Sequence, residues 1–192
     1  MFRVFQIKYV VAVFFALVIL ACNNEDFLPK PKAFLALDYP KALYFETELD
    51  CPFTFNFNTQ SRLDAKPNNS CWLDINYPKL KGSIYLSYYP VEDNLRALIA
   101  DAQKLPLSHE IKADAIASQT YINENHRTFG LFYEIEGNAA SQAQFYLTDS
   151  VNHFLTASIY FKTTPNYDSI LPAASYLKND MREIMESLQW KD

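Results

Sequence analysis

Glycine is scarce in this sequence. Only Gly82, Gly130 and Gly137 occur in 192 residues, where ordinary usage of about 7% would give roughly 13. No two of them stand at the spacing of G-x-G-x-x-G or G-x-x-x-x-G-K-[ST], which excludes nucleotide binding through a Gly-rich phosphate loop. The stretch Gly137-Asn138-Ala139-Ala140-Ser141 also lacks the second glycine of a G-x-S-x-G nucleophile elbow. Basic charge is in short supply too: 17 Lys and Arg face 22 Asp and Glu, for a net charge of −5. Nucleic-acid partners call for a basic face, so that class is excluded as well. Three cysteines and three scattered histidines make no metal site, and His109-Glu110 has no second His at zinc-protease spacing. No internal repeat and no low-complexity tract is present.

Aromatic rings, by contrast, are abundant. Fifteen Phe and 13 Tyr, in a chain that is 49% hydrophobic, describe a folded core rather than a disordered segment. The length fits one domain after a leader. Arg3 and Lys8 precede an apolar run, Val10–Leu20, of about 11 residues, which suits the core of a secretory signal and falls short of the roughly 20 that span a bilayer. The run ends in Ile19-Leu20-Ala21-Cys22 and turns polar at Asn23-Asn24-Glu25-Asp26. An aliphatic three positions before a cysteine and a small residue directly before it resemble the bacterial lipobox. Residues 1–21 then form a lipoprotein signal peptide, Cys22 is the lipidation site, and 22–32 form a Pro- and Lys-containing tether to a single α+β domain, 33–192. The competing reading is an uncleaved short anchor or a buried first strand. Export leaves Cys51 and Cys71 as an even pair in a compartment that permits a disulfide, the alternative being two buried free thiols.

Along the domain, short strand-like runs come first: Ala33–Tyr39, Leu43–Glu48, Cys51–Phe57, Cys71–Tyr77 and Ser83–Tyr88. Phe53, Phe55 and Phe57 alternate with polar residues, as a half-buried strand requires. Glu92–Leu105 then carries Leu95, Leu98, Ile99, Ala102 and Leu105 at helical spacing, ended by Pro106. Ser108 stands as the N-cap of a second helix, His109–Ser118, with Ile111, Ala115 and Ile116 as its stripe. Strands are expected over Tyr121–Glu136, Ala143–Thr148 and Phe154–Lys162, with Phe129, Leu131, Tyr133 and Ile135 on one face and Phe132 on the other. A final helix, Pro172–Trp190, turns Leu171, Ala174, Leu177, Met181, Ile184, Met185 and Leu188 inward and Lys178, Asp180, Arg182 and Glu183 outward. Short connections make neighbouring strands antiparallel. The fold class is α+β, a mostly antiparallel sheet flanked by helices.

No catalytic constellation emerges. His109 is expected on a helix, His126 at a strand start and His153 in a turn, and sequence brings none of them to a nucleophile. Asp74, Asp114, Glu134 and Asp149 define no glycosidase pair, because such a pair is a distance. No catalytic, cofactor-binding or metal-binding residue is assigned, and no cofactor. Tyr85, Phe132, Tyr146 and Tyr160 are the candidate docking face, weighed against a plain ring-rich sheet core.

Several stretches carry a family resemblance: Cys51-Pro52-Phe53, Cys71-Trp72-Leu73-Asp74-Ile75-Asn76-Tyr77-Pro78, Ile84-Tyr85-Leu86-Ser87-Tyr88, Lys112-Ala113-Asp114, Gln144-Phe145-Tyr146-Leu147-Thr148-Asp149-Ser150 and His153-Phe154-Leu155. In this order, over about residues 28–190, the chain resembles the GldD family of gliding-motility lipoproteins of Bacteroidota. The last three strands and final helix are also similar to the Mog1/PsbP-like α/β/α sandwich, a likeness of fold only. The family resemblance implies a non-enzymatic, lipid-anchored accessory component of gliding motility and type IX secretion. Its partners would be other gliding and secretion lipoproteins and envelope proteins, met from an inner- or outer-membrane anchor facing the periplasm. The alternative is a lipoprotein that binds or hydrolyses envelope glycan, which needs a pocket gathering several of Tyr85, Phe132, Tyr133, Tyr160 and His126 beside a carboxylate.

Overall fold

Nine residues of Gly82–Pro90 and nine of His153–Phe161 pair antiparallel over their full length, and this seam organises the fold. The structure is a computed structural model and describes residues 39–66, 71–163 and 166–191. The signal segment, Cys22, the tether and all but the last residue of the expected strand Ala33–Tyr39 lie outside the described residues.

A seven-stranded sheet holds β4 (Arg62–Ala65), β5 (Leu73–Tyr77), β6 (Gly82–Pro90), β7 (Ala113–Asn123), β8 (Thr128–Gly137), β9 (Ser141–Thr148) and β10 (His153–Phe161). Their spatial order is β4-β5-β6-β10-β9-β8-β7, and every neighbouring pair is antiparallel. Two helices cover it: α1 (Leu95–Leu107) and α2 (Tyr167–Ser187). Alternation sorts the side chains between two cores. Ile84, Leu86, Phe145, Leu147, Leu155, Ala157 and Ile159 pack against Leu177, Met181 and Ile184 of α2, together with Phe53 and Phe55. Tyr133, Tyr146 and Phe154 point the other way, under Leu95, Leu98, Ile99 and Ala102 of α1. All eight residues of β9 are buried, since it has a strand on each side and a helix over each face. Phe132 and Tyr133 are split between the two cores, as their alternation requires.

A smaller layer lies against α2. In it β1 (Tyr44–Glu46) pairs with β3 (Asn56–Asn58), and β2 (Phe53–Thr54) pairs with β11 (Gln189–Trp190). The Cys51–Cys71 disulfide, Cα atoms 5.7 Å apart, ties this layer to the start of β5.

The architecture is α+β with antiparallel strands, and several local expectations are corrected: the run Cys51–Phe57 divides between β2 and β3, and Tyr121–Glu136 divides between β7 and β8 at a turn over 124–127. Residues 113–118 are strand, not helix: β7 pairs with β8 from Ala113 to Asn123, and that long ladder overrides the helical spacing of Ile111, Ala115 and Ile116. Ser108 closes α1 instead of opening a helix, its N–H meeting Lys104 O at 3.0 Å and its hydroxyl Leu105 O at 2.6 Å. Pro106 sits inside the last turn of α1, where the missing N–H costs a single bond. Lastly, α2 begins at Tyr167 and ends at Ser187, and Gln189–Trp190 become a strand. The face of α2 assigned to solvent is partly buried as well: Lys178 is 9% exposed and Asp180 2%.

Candidate docking surfaces

Each histidine is occupied locally. The His109 ring lies 3.1 Å from Gln144 Nε2, and burial holds its pKa below the usual imidazole value. His126 Nδ1 is 3.4 Å from Asn123 Nδ2. His153 Nδ1 meets the Tyr88 hydroxyl at 2.9 Å, and its ring stacks on Trp190 with centroids 5.1 Å apart. Among the described residues no imidazole is hydrogen-bonded to a Ser, Thr or Cys side chain, and no three His, Cys, Asp or Glu are grouped to hold a metal ion.

The carboxylates serve the fold. Glu134 receives Lys178 at 3.1 Å and Arg182, whose guanidinium also lies 4.8 Å above the Phe132 ring. Asp74 pairs with Lys66. Asp149 Oδ1 accepts the backbone N–H groups of Val151, Asn152 and His153 at 3.0, 2.9 and 2.8 Å. Burial alone would raise the Asp149 pKa, but these donors more than offset it and hold the carboxyl below its ordinary value. Asp180 is enclosed by phenols: Tyr44 donates to it, and Asn58 Nδ2 reaches it at 2.8 Å while also meeting the Tyr176 hydroxyl at 2.8 Å. Burial first, and then this carboxylate, push the Tyr44 and Tyr77 phenols well above their usual range.

The four candidate docking aromatics are not brought together. Phe132, 1% exposed, belongs to the core beneath α2; Tyr146, 7% exposed, stacks on Phe154 beneath α1 at 5.6 Å. Tyr85 and Tyr160 do meet, edge to face at 5.8 Å, and keep part of their surface in solvent. The glycan alternative required one concavity shared by several of these rings. Phe132 and Tyr133 are both buried and lie in separate cores on opposite faces of β8, so no shared pocket takes them.

A surface that sequence reading missed lies at the end of the sheet. Among the described residues β7 has β8 on one side and no strand on the other, so along this 11-residue strand the outer N–H and C=O groups meet no described strand. Sheet edges are commonly blunted by Lys, Pro, a short length or a bulge; β7 has neither residue, its single charge is Asp114, and its register against β8 is irregular only at its start, between Ala113 and Ala115. Exposed apolar side chains precede it, Leu107 at 57% and Ile111 at 95%, and Ile122 on the strand itself is 64% exposed. An open groove of about 400 Å³ runs beside them, between the end of α1 and Ala113–Ile116. Expecting a helix over 109–118 concealed this edge, and no motif marks it.

Residues 24–190, nearly the whole chain, match the family model described as gliding motility lipoprotein GldD. The chain belongs to the GldD family. A GldD-family chain is a gliding-motility lipoprotein and so is associated with the cell envelope. No helix among the described residues is long and apolar enough to cross a membrane. No curated protein matches the chain.

Proposed function

We propose that this GldD-family lipoprotein is a non-catalytic accessory component of the gliding and type IX secretion apparatus, anchored through lipid on Cys22 with its domain in the periplasm. It acts by contact, and β7 is the contact surface: an extended segment of a partner envelope protein adds to the sheet as a further strand. The observation that carries this reading is the long outer edge of β7, with exposed Ile111 just before it and exposed Ile122 on it, in a chain of this family. Backbone pairing supplies affinity along such an edge, and the groove beside it supplies specificity for side chains.

The test is crosslinking in cells followed by capture and mass spectrometry, comparing wild type with Ser118→Lys/Thr120→Lys. Both positions are exposed on β7, so the double variant should melt within about 0.5 kcal/mol of wild type. Wild type should capture other gliding or secretion lipoproteins, and the variant should lose them. Equal capture by both, or crosslinks only between copies of this chain, would overturn the assignment of β7.

A further inference from the structure

The described chain begins at a corner whose charge opposes that of the whole protein. The Tyr39 ring lies against that of Tyr176, tilted, with centroids 5.3 Å apart, and Tyr176 donates to Pro40 O at 3.0 Å, which pins these first described residues to α2. Tyr39 and Pro40 share an open cavity of about 560 Å³ with Lys79, Lys81 and Phe161. A second groove of about 430 Å³ adjoins it through Lys81 and is lined by Arg62, Asp64 and Lys162. Lys79, Lys81 and Lys162 are exposed, and none of them has an ion-pair partner among the described residues. Arg62 meets Asp64 at 2.9 Å with 77% of its side chain in solvent, and exposed Lys41 follows directly after Pro40.

Acidic groups at the same end of the sheet lie toward its other side. Burial, then Glu136, Asp114, Glu134 and Asp168, raise the Tyr167 phenol, which locates those carboxylates around the first turn of α2 and the ends of β7 and β8. The cationic side belongs to β4, β5, β6 and β10. Upstream, residues 23–38 carry Glu25, Asp26 and Asp38 against Lys30 and Lys32 and could span at most about 55 Å. On a lipid-anchored chain, the charge of the domain's own surface bears on which side faces the bilayer.

We infer that the corner formed by Lys41, Arg62, Lys79, Lys81 and Lys162 lies against anionic lipid headgroups and sets the orientation of the anchored domain. Lysines held near such a surface are attracted strongly within a Debye length, about 8–10 Å at physiological salt. This inference rests on lipidation at Cys22. The opposite end of β10, at Val151, then projects away from the membrane.

The experiment uses the full lipidated protein in vesicles of phosphatidylcholine with or without phosphatidylglycerol. With Cys22 acylated and Cys51–Cys71 bonded, Thr163→Cys or Val151→Cys supplies the one thiol that takes a fluorophore. These sites flank the nine residues of β10 and so lie roughly 30 Å apart. A headgroup-attached nitroxide should quench the label at Thr163 more than the label at Val151. The difference should need phosphatidylglycerol, shrink at about 0.5 M salt, and vanish in Lys81→Glu/Lys162→Glu. Equal quenching of the two labels on vesicle-bound protein, or a difference insensitive to salt and charge reversal, would overturn the orientation alone. Protein that carries no lipid mass on Cys22 and fails to float with vesicles would overturn the anchor, and the orientation with it.

Discussion

Gly130 of β8 stands opposite Leu147 of β9, and a Cβ there would lie 1.8 Å from the Tyr146 carbonyl oxygen, a backbone atom that cannot swing aside. Gly130→Ala should therefore push two central strands apart and cost about 3 kcal/mol, at the upper end for an overpacked core. Thermal unfolding followed by circular dichroism reads that loss. Asp149 is the opposite case, a side chain defined by what it accepts. Its carboxyl is held below the ordinary value, so the stability it contributes is present above the unfolded pKa and disappears as pH falls through the folded one. Unfolding midpoints measured from pH 7 downward should hold until about pH 4 and then fall. Asp149→Asn should lower the plateau and flatten that decline, since an amide still accepts hydrogen bonds but does not ionise.

At the scale of elements, the Cys51–Cys71 bond joins the β1–β3 layer to the large sheet across a separation of 20 residues. A loop of that length corresponds to roughly 3 kcal/mol in the chain-entropy account. Reduction, or Cys51→Ser/Cys71→Ser, should lower the melting temperature by several degrees, and the early loss should fall on amide-exchange protection in residues 44–58. The strands flanking this bond were legible because their burial is one-sided. Phe53 and Phe55, then Ile84 and Leu86, write the period of two into the sequence. β7 was not legible for the converse reason. Most of its residues are exposed on both faces, so no burial imposes alternation, and Ile111, Ala115 and Ile116 fell by chance at helical spacing. The charged groups of α2 were misplaced because their partners are remote. Lys178 meets Glu134 across 44 positions, and Asp180 meets Asn58 and Tyr44 across 122 and 136. Periodicity speaks of neighbours along the chain and is silent about such pairs. The aromatic docking face failed to assemble for a related reason. Alternation separated Phe132 from Tyr133 correctly, but it carries no information on which helix covers which side.

For the molecule as a whole, the two helices occupy opposite faces, which leaves rims and edges as the available contact surfaces. Strand β7 forms one edge, and the lysine corner lies toward the other, at β4 to β6. In a protein net acidic at −5, the two proposals thus fall on distinct sides, the lysine corner for a membrane and β7 for a partner. The small pairing of Phe53–Thr54 with Gln189–Trp190 has a consequence in time. The residues that complete the layer around Phe53 are made more than 130 positions later, and the α2 side chains that wall its core, beginning with Leu177, more than 120. A chain still being threaded through a translocation channel lacks them, and pairings this distant form slowly. Under the export and lipidation proposed above, acylation at Cys22 and oxidation at Cys51 and Cys71 come upon an unclosed polypeptide, and the domain shuts only after its last strand arrives.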